Sequence, residues 1–324
     1  MRATQAFFEQ TGGPEVIQWR EVDLPAPGPG EVLLRQEAVG LNFIDTYFRT
    51  GLYPARLPSG MGMEAAGVIE AVGEGVSAFK PGDRAGYIGS PGAYATARLI
   101  KAAELLPVPA SVDSPTAAAV LLKGATVEML AERCAPVMPG GWALVPAAAG
   151  GVGLLLVQWL TARGVRVIGT VGSAAKVAAA KEAGAEHVFL TDDADLIAKV
   201  REATGGGGVR VSYDVVGAAT WQVSLNSVGR RGTIASFGNA SGPVTGVALR
   251  DLATRGSLYV TRPGVYDYYK DPAEAAAGAA RLWEMVTSGK LTVTVGQTYA
   301  LTDAAQAHID LEARRTTGST LLLP

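Results

Sequence analysis

The chain has 324 residues, 48% of them apolar, a formal net charge of −2 and a pI near 5.8. That apolar content suffices for two packed cores, while the near-neutral charge and the lack of a basic run argue against nucleic acid or an anionic membrane surface as a partner. A single cysteine, Cys134, excludes an internal disulfide and, with an N-terminus that lacks the apolar core of a signal peptide, leads us to expect a cytoplasmic protein.

In chain order, the first hundred residues read as short strands broken by turns. Strands are predicted over 32–39, 66–72 and 83–88, set off by the turn-rich segments 25–30, 73–75 and 80–82. After Pro107 the texture changes to a helical pattern over 111–134, with Pro115 in its first turn and Ala117, Val120, Leu121 and Met129 as apolar positions. Strand and helix then alternate. Strands are predicted over 143–147, 165–171, 188–190, 209–216, 232–237 and 257–260, with helices over 151–163, 174–183, 194–203 and near 219–228. This α/β order predicts a right-handed, doubly wound parallel (Rossmann) sheet. The tail reads as a helix over 273–288, a strand near 293–300, a helix over 303–313 and a strand over 320–323. A nucleotide-type domain over 125–263 is therefore expected between two segments, 1–124 and 264–324, that form one other domain. Residues 134–162 carry no charge and are long enough for a membrane span, but Pro136, Pro139, Pro146 and two Gly-Gly pairs interrupt any single helix. A buried strand followed by a buried helix is the expected reading, so no membrane is expected.

The most informative stretch is Trp142-Ala-Leu-Val-Pro-Ala-Ala-Ala-Gly-Gly-Val-Gly153. A strand meets a glycine cluster and a helix opens from it, which is the order of parts a dinucleotide pyrophosphate requires. Gly150, Gly151 and Val152 would present backbone N–H groups to the phosphates, and Gly153 lets the helix lie close to the strand. The motif departs from G-x-G-x-x-G at Ala148. At the end of the second strand the chain reads Val171-Gly-Ser-Ala-Ala-Lys176, with no carboxylate to hold a ribose 2′-OH or repel a 2′-phosphate. Gly172, Ser173 and Lys176 there point to NADPH, the plainer alternative for Lys176 being a solvated lysine in a helix's first turn. Asp214-Val-Val-Gly217 and Gly238-Asn239 follow the fourth and fifth strands, where open α/β sheets bind ligands; Asp214 reads equally well as a helix cap or turn former. Asn42 is expected to be a buried amide in want of partners, and Tyr47 a site residue or a half-buried barrel aromatic.

The chain resembles the medium-chain dehydrogenase/reductase superfamily and, within it, the zinc-free NADPH:quinone oxidoreductases related to zeta-crystallin. The resemblance covers nearly the whole chain. It is carried by Gly40-Leu-Asn-Phe-Ile-Asp-Thr-Tyr47, Arg49-Thr-Gly-Leu-Tyr-Pro54, Gly62-Met-Glu-Ala-Ala-Gly67 and Lys80-Pro-Gly-Asp83. In the nucleotide domain Ala147-Ala-Ala-Gly-Gly-Val-Gly153, Gly169-Thr-Val-Gly172, Ser236-Phe-Gly-Asn239 and Gly256-Ser-Leu-Tyr-Val-Thr-Arg-Pro263 carry it. It implies a GroES-like β-barrel domain, a cofactor cleft between domains, a homodimer joined edge to edge by its nucleotide sheets, and reduction of a small-molecule quinone. Asn42 and Met63 stand where zinc relatives use Cys and His, so no metal is expected, and His187 and His308 are expected to be surface or packing residues. The resemblance further implies that Arg314 reaches the 2′-phosphate, and that Thr191 stands where relatives place a tyrosine beside it. Phe237, Gly238, Asn239 and Ser241, with Val260, Thr261 and Arg262, would line the ribose and nicotinamide. Lys123 and Thr126 would meet the nicotinamide face, with Asn42, Asp45 and Tyr47 on the barrel side; Tyr47 and Tyr53 are the candidate acids. A quinone delocalises the charge that hydride adds, so the absence of a metal or catalytic triad fits this reaction. Reduction of an activated C=C bond is the alternative, and a non-catalytic NADPH-binding protein the remote third.

Overall fold

The computed structural model describes all 324 residues, which divide into two compact units: Met1–Lys123 with Val293–Pro324, and Gly124–Thr292. The first unit is organised by the long strand Glu31–Leu41. It pairs antiparallel with Glu64–Val72, Ala97–Lys101 and Ser319–Leu323. Arg84–Ile88, Leu106–Pro107 and Val295–Ala300 complete a seven-stranded sheet. Gln18–Asp23, Arg2–Phe8 and Ser59–Gly60 form a second, three-stranded antiparallel sheet. Phe8, Leu34, Val39, Leu41, Tyr87, Tyr94 and Leu322 share the core of this unit. Pairing of Leu321 with Gly40 seats the C-terminal strand on the chain just before Asn42.

Besides the short helices Leu249–Thr254 and Val265–Tyr268, the helix Phe43–Thr50 was not expected from the sequence. Its eight residues are too few to show a helical period beside a strand of apolar residues. Asn42 is extended (φ −135°, ψ 152°) and caps it, its N–H donating to Asp45 Oδ2 at 2.9 Å as in a capping box, and Gly51 ends it at φ 82°. Asn42 is thus a strand-to-helix junction rather than the end of a continuing strand.

The second unit holds six parallel strands in the spatial order His187–Leu190, Arg166–Val171, Trp142–Val145, Val209–Asp214, Val228–Ser236, Tyr259–Thr261. This is the doubly wound order with a reversal beside the first strand. Ala143, Leu144, Val167, Ile168, Val211 and Ile234 are all buried, because helices cover both faces. The uncharged run 134–162 resolves into a strand and the 12-residue helix Gly151–Ala162, and no helix is long and apolar enough to cross a membrane. The predicted helix over 111–134 is α-helical over Ser114–Glu128 and π-helical over Met129–Cys134.

The sequence expectation returned the chain to the first unit at residue 264, whereas in the structure it returns at Val293. The reason is the fully buried Glu128. Arg281 of the helix Pro272–Thr287 reaches its Oε1 at 2.6 Å, Arg133 its Oε2 at 2.8 Å, and the Tyr269 hydroxyl donates to Oε2 at 3.0 Å. A buried carboxylate demands such partners, and they tie 264–292 to the second unit.

Candidate active site

In the second unit the strand Trp142–Val145 ends, Ala147 takes φ 54°, and Gly150 caps the helix that starts at Gly151. The first N–H groups of any helix have no intrahelical acceptor, so this turn offers donors and a partial positive charge to an anion. A Cβ on Gly153 would sit 2.2 Å from the Ala147 carbonyl oxygen, so only glycine allows the helix to start this close to the turn. At Gly172, past the second strand, a Cβ would meet nothing within 4 Å, so the chain borders open space there. Ser173 follows as the cap of the short turn Ala174–Lys176, and the Thr191 N–H donates to the Val171 carbonyl at 2.9 Å. Gly172, Ser173, Lys176 and Thr191 are therefore gathered at two adjoining strand ends. Of the two carboxylates that follow Thr191 directly, Asp192 and Asp193, the second is engaged by Lys199 and by the Asp195 N–H.

The loops after the fourth and fifth strands hold each other. Asp214, completely buried, accepts from the N–H groups of Val216 and Gly217 and from the Thr220 and Ser224 hydroxyls. It is a turn former, one of the two readings the sequence allowed. The Ser241 hydroxyl donates to the Val216 carbonyl and accepts from the Ala219 N–H. Arg262 Nη1 donates to the carbonyls of Ser236 and Gly238, both at 3.0 Å. The segment 237–241 and the strand Tyr259–Thr261 are thereby fixed at the carboxyl edge of the sheet before any ligand arrives.

In the first unit Asn42 and Asp45 open the helix Phe43–Thr50 and Tyr47 is buried within it. Tyr53 packs edge-on against Tyr47 with ring centroids 5.2 Å apart. Asn42 Nδ2 donates to Glu64 Oε2 at 2.8 Å, the Leu122 N–H donates to Glu64 Oε1 at 2.6 Å, and Lys123 Nζ lies 3.3 Å from Glu64 Oε2. Glu64 is completely buried, so its charge is tolerated only because both oxygens are bonded and a cation is beside it. Asp45 Oδ2 also accepts from the Tyr94 hydroxyl at 3.1 Å. That hydroxyl meets His308 Nε2 at 2.9 Å, and His308 Nδ1 accepts from Arg49 at 2.8 Å. The buried Arg49 then grips both oxygens of the half-exposed Glu312. Burial pushes the Asp45 carboxyl up to about 7, against the lowering effect of the Asn42 N–H, the Tyr94 hydroxyl and Lys123. Burial, with the Arg49 guanidinium alongside, lowers His308 to about 3, so its ring is neutral at ordinary pH.

The structure thus joins Asn42, Asp45 and Lys123 in one buried network, and gathers the turn at 150–153, the strand end at 172–191 and the loop 237–241 along the sheet's carboxyl edge. Arg314 follows the helix Ala304–Glu312 of the first unit, at φ 59°, and Thr126 lies one turn after Lys123 on the helix Ser114–Glu128. Sequence reasoning missed Glu64, Tyr94 and Arg49. A signal existed for Glu64, a charge inside the apolar run 61–69. None existed for Tyr94. His308 is a packing residue as expected, and a bonded one; His187 lies partly exposed, stacked on Phe189.

The zinc-binding dehydrogenase family matches residues 151–279, and the alcohol dehydrogenase GroES-like domain matches 28–110. A quinone oxidoreductase of Pseudomonas aeruginosa is 47% identical, over 99% of this chain and all of that protein. A 2-haloacrylate reductase of a Burkholderia species is 40% identical, over 98% of each chain. The structure of an Escherichia coli quinone oxidoreductase complexed with NADPH superposes with a TM-score of 0.96 at 45% identity, over 99% of this chain and all of that one. The chain belongs to the quinone oxidoreductases of the medium-chain dehydrogenase/reductase superfamily.

Proposed function

We propose that this chain is an NADPH-dependent quinone reductase that works without a metal, in the cytoplasm, as a homodimer. The observation that carries the reading is the glycine turn at 150–153, where main chain from strand and helix approach so closely that Gly153 admits no side chain. A dinucleotide fits such a cradle: the amides at Gly151 and Val152 hold the pyrophosphate, the Gly150 N–H being already donated to the Ala147 carbonyl at 2.9 Å, and Ser173 and Lys176, with Thr191, take the 2′-phosphate. Phe237, Gly238, Asn239, Ser241, Val260, Thr261 and Arg262 line the ribose and nicotinamide in the second unit. Bound NADPH supplies the hydride. The protein's own part is to fix the cofactor on rigid loops, keep the acceptor dry, and provide a proton from Asp45, Tyr47 or Tyr53. Metal binding is disfavoured at Glu64, whose oxygens are already taken by Lys123, Asn42 and Leu122. The dimer reading is supported by the edge strand Tyr259–Thr261, which leaves Tyr259 (60%) and Val260 (40%) exposed.

Activity is tested by following NADPH and NADH oxidation with phenanthrenequinone and with an acyclic enone. Fast quinone turnover with NADPH is expected. Turnover of the enone alone would favour C=C reduction, the second reading that the haloacrylate reductase relative supports. Tight NADPH binding with no turnover on any acceptor would refute both.

A further inference from the structure

The first unit contains a cavity of about 350 Å³, a volume at the small end of ligand pockets. Phe8 and Met61 lie behind its wall, at most 1% exposed, so the surface that a ligand would meet comes from Phe48, Pro54, Pro58, Ser59 and Pro91. Two charged residues belong to the wall, Asp45 and Arg56, and they differ in reach. Asp45 is buried, with its Oδ2 taken by the Asn42 N–H and the Tyr94 hydroxyl. Arg56 is exposed and forms no ion pair or hydrogen bond within the chain. The charge open to a ligand is therefore positive and unopposed. The main chain beside it has the same sign, since the N–H groups of Ala55, Arg56 and Leu57 donate to no group of the chain. Pro54 and Pro58 bound this segment. Each fixes its own φ and restricts the residue before it, so the donors sit on a stiffened stretch of backbone.

We propose that this cavity binds a small monocarboxylate with an aliphatic body, its carboxylate paired with the Arg56 guanidinium and its body laid against Phe48, Pro54 and Pro58. A guanidinium presents a planar fork that matches both carboxylate oxygens, and unbonded main-chain N–H groups beside it favour the same anion. Asp45, the one carboxylate in the wall, is out of reach and does not compete for Arg56. A neutral ligand of the same shape gains only the apolar contact. A carboxylate without a body gains only the charge, which solvent screens at an exposed arginine. Affinity thus requires both ends of the ligand. The site goes beyond the reductase reading and does not depend on it, because it needs neither a cofactor nor a redox step.

The test is a ligand-observed NMR titration of the full chain, without NADPH, with pentanoate, its neutral amide pentanamide, and acetate, at low salt and about pH 8, where both acids are ionised. Pentanoate should bind about fivefold more tightly than either of the others. Arg56→Gln should erase the difference between pentanoate and pentanamide while leaving pentanamide unchanged, and Arg56→Lys, which keeps the charge without the fork, should restore part of it. Arg20→Gln, at an exposed arginine on the strand Gln18–Asp23, should change nothing. Equal affinities for pentanoate and pentanamide, no binding of pentanoate, or an equal loss in Arg20→Gln would overturn the proposal. If Arg56→Gln fails to fold, the comparison of pentanoate with pentanamide at low and raised salt still decides, since only the first should weaken. Pentanoate binding by a chain that reduces no quinone would refute the reductase reading and leave this site standing; quinone turnover without pentanoate binding would do the reverse.

Discussion

The glycine turn at 150–153 and the carboxyl network around Glu64 and Asp45 are both polar sites set in apolar surroundings, yet they are built in opposite ways. The turn is main chain: its donors are amides, and its one side-chain requirement is the absence of a side chain at Gly153. The network is almost wholly side chain. Asn42, Asp45, Glu64, Tyr94, Lys123, His308 and Arg49 converge from five segments and bond to one another out of contact with water. A main-chain site tolerates substitution around it, provided the glycines stay. A side-chain network is exposed at every member, because each deletion leaves a partner buried and unpaired.

The largest effect should come from breaking the network's charge balance. Lys123→Met leaves Glu64 buried without its cation and should cost about 3–5 kcal/mol in chemical denaturation. Adding Glu64→Gln should recover much of it; a stable single variant would show that the pair does not hold the network. Gly153→Ala tests the other region. Its Cβ would meet the Ala147 oxygen at 2.2 Å, so we expect a loss of about 1–3 kcal/mol. We also expect NADPH affinity, read by fluorescence titration, to fall at least about tenfold.

The pH dependence sharpens the contrast within the network. His308 is held neutral to about pH 3 in the folded chain but takes a proton near its ordinary value of 6.5 once unfolded, so it removes stability as pH falls from 6.5 towards 3. Asp45 does the opposite. Its folded carboxyl keeps a proton up to about pH 7 while the unfolded one loses it near 3.8, so stability falls as pH rises between those values. The two slopes oppose each other from about pH 4 to 6.5. Asp45→Asn should therefore uncover a loss of about 1.4 kcal/mol per pH unit on acidification below pH 6.5, measured as unfolding free energy. A flat profile in that variant would contradict the assignment of His308 as buried and neutral. The smallest effect is expected at the strand end. Lys176→Ala should reduce kcat/KM with NADPH about tenfold and leave NADH nearly unchanged; equal losses with both would remove Lys176 from the 2′-phosphate site.

Most elements of the second unit were legible from sequence to within a few residues, because each strand is a short apolar run and each helix opens at a turn. The glycine turn and the strand end at 172–176 were legible for the same reason. The helix Phe43–Thr50 was not, and with it went the role of Asn42 and Asp45 as a cap. The membership of 264–292 was also hidden, since it turns on Glu128 meeting Arg281 across 153 residues.

By itself the sequence determined the alternation of strands and helices, the place of the glycine turn and the lack of a carboxylate after the second strand, all properties of residues within a few positions of one another. Which polar groups would meet was decided only by the tertiary structure. Asn42 finds Glu64 across 22 residues and Arg49 finds His308 across 259, when Leu321 pairs with Gly40 and the C-terminal segment joins the first unit. Burial then sets their charges. A carboxyl or an imidazole carries no sign of its protonation until the fold removes its water and chooses its neighbours.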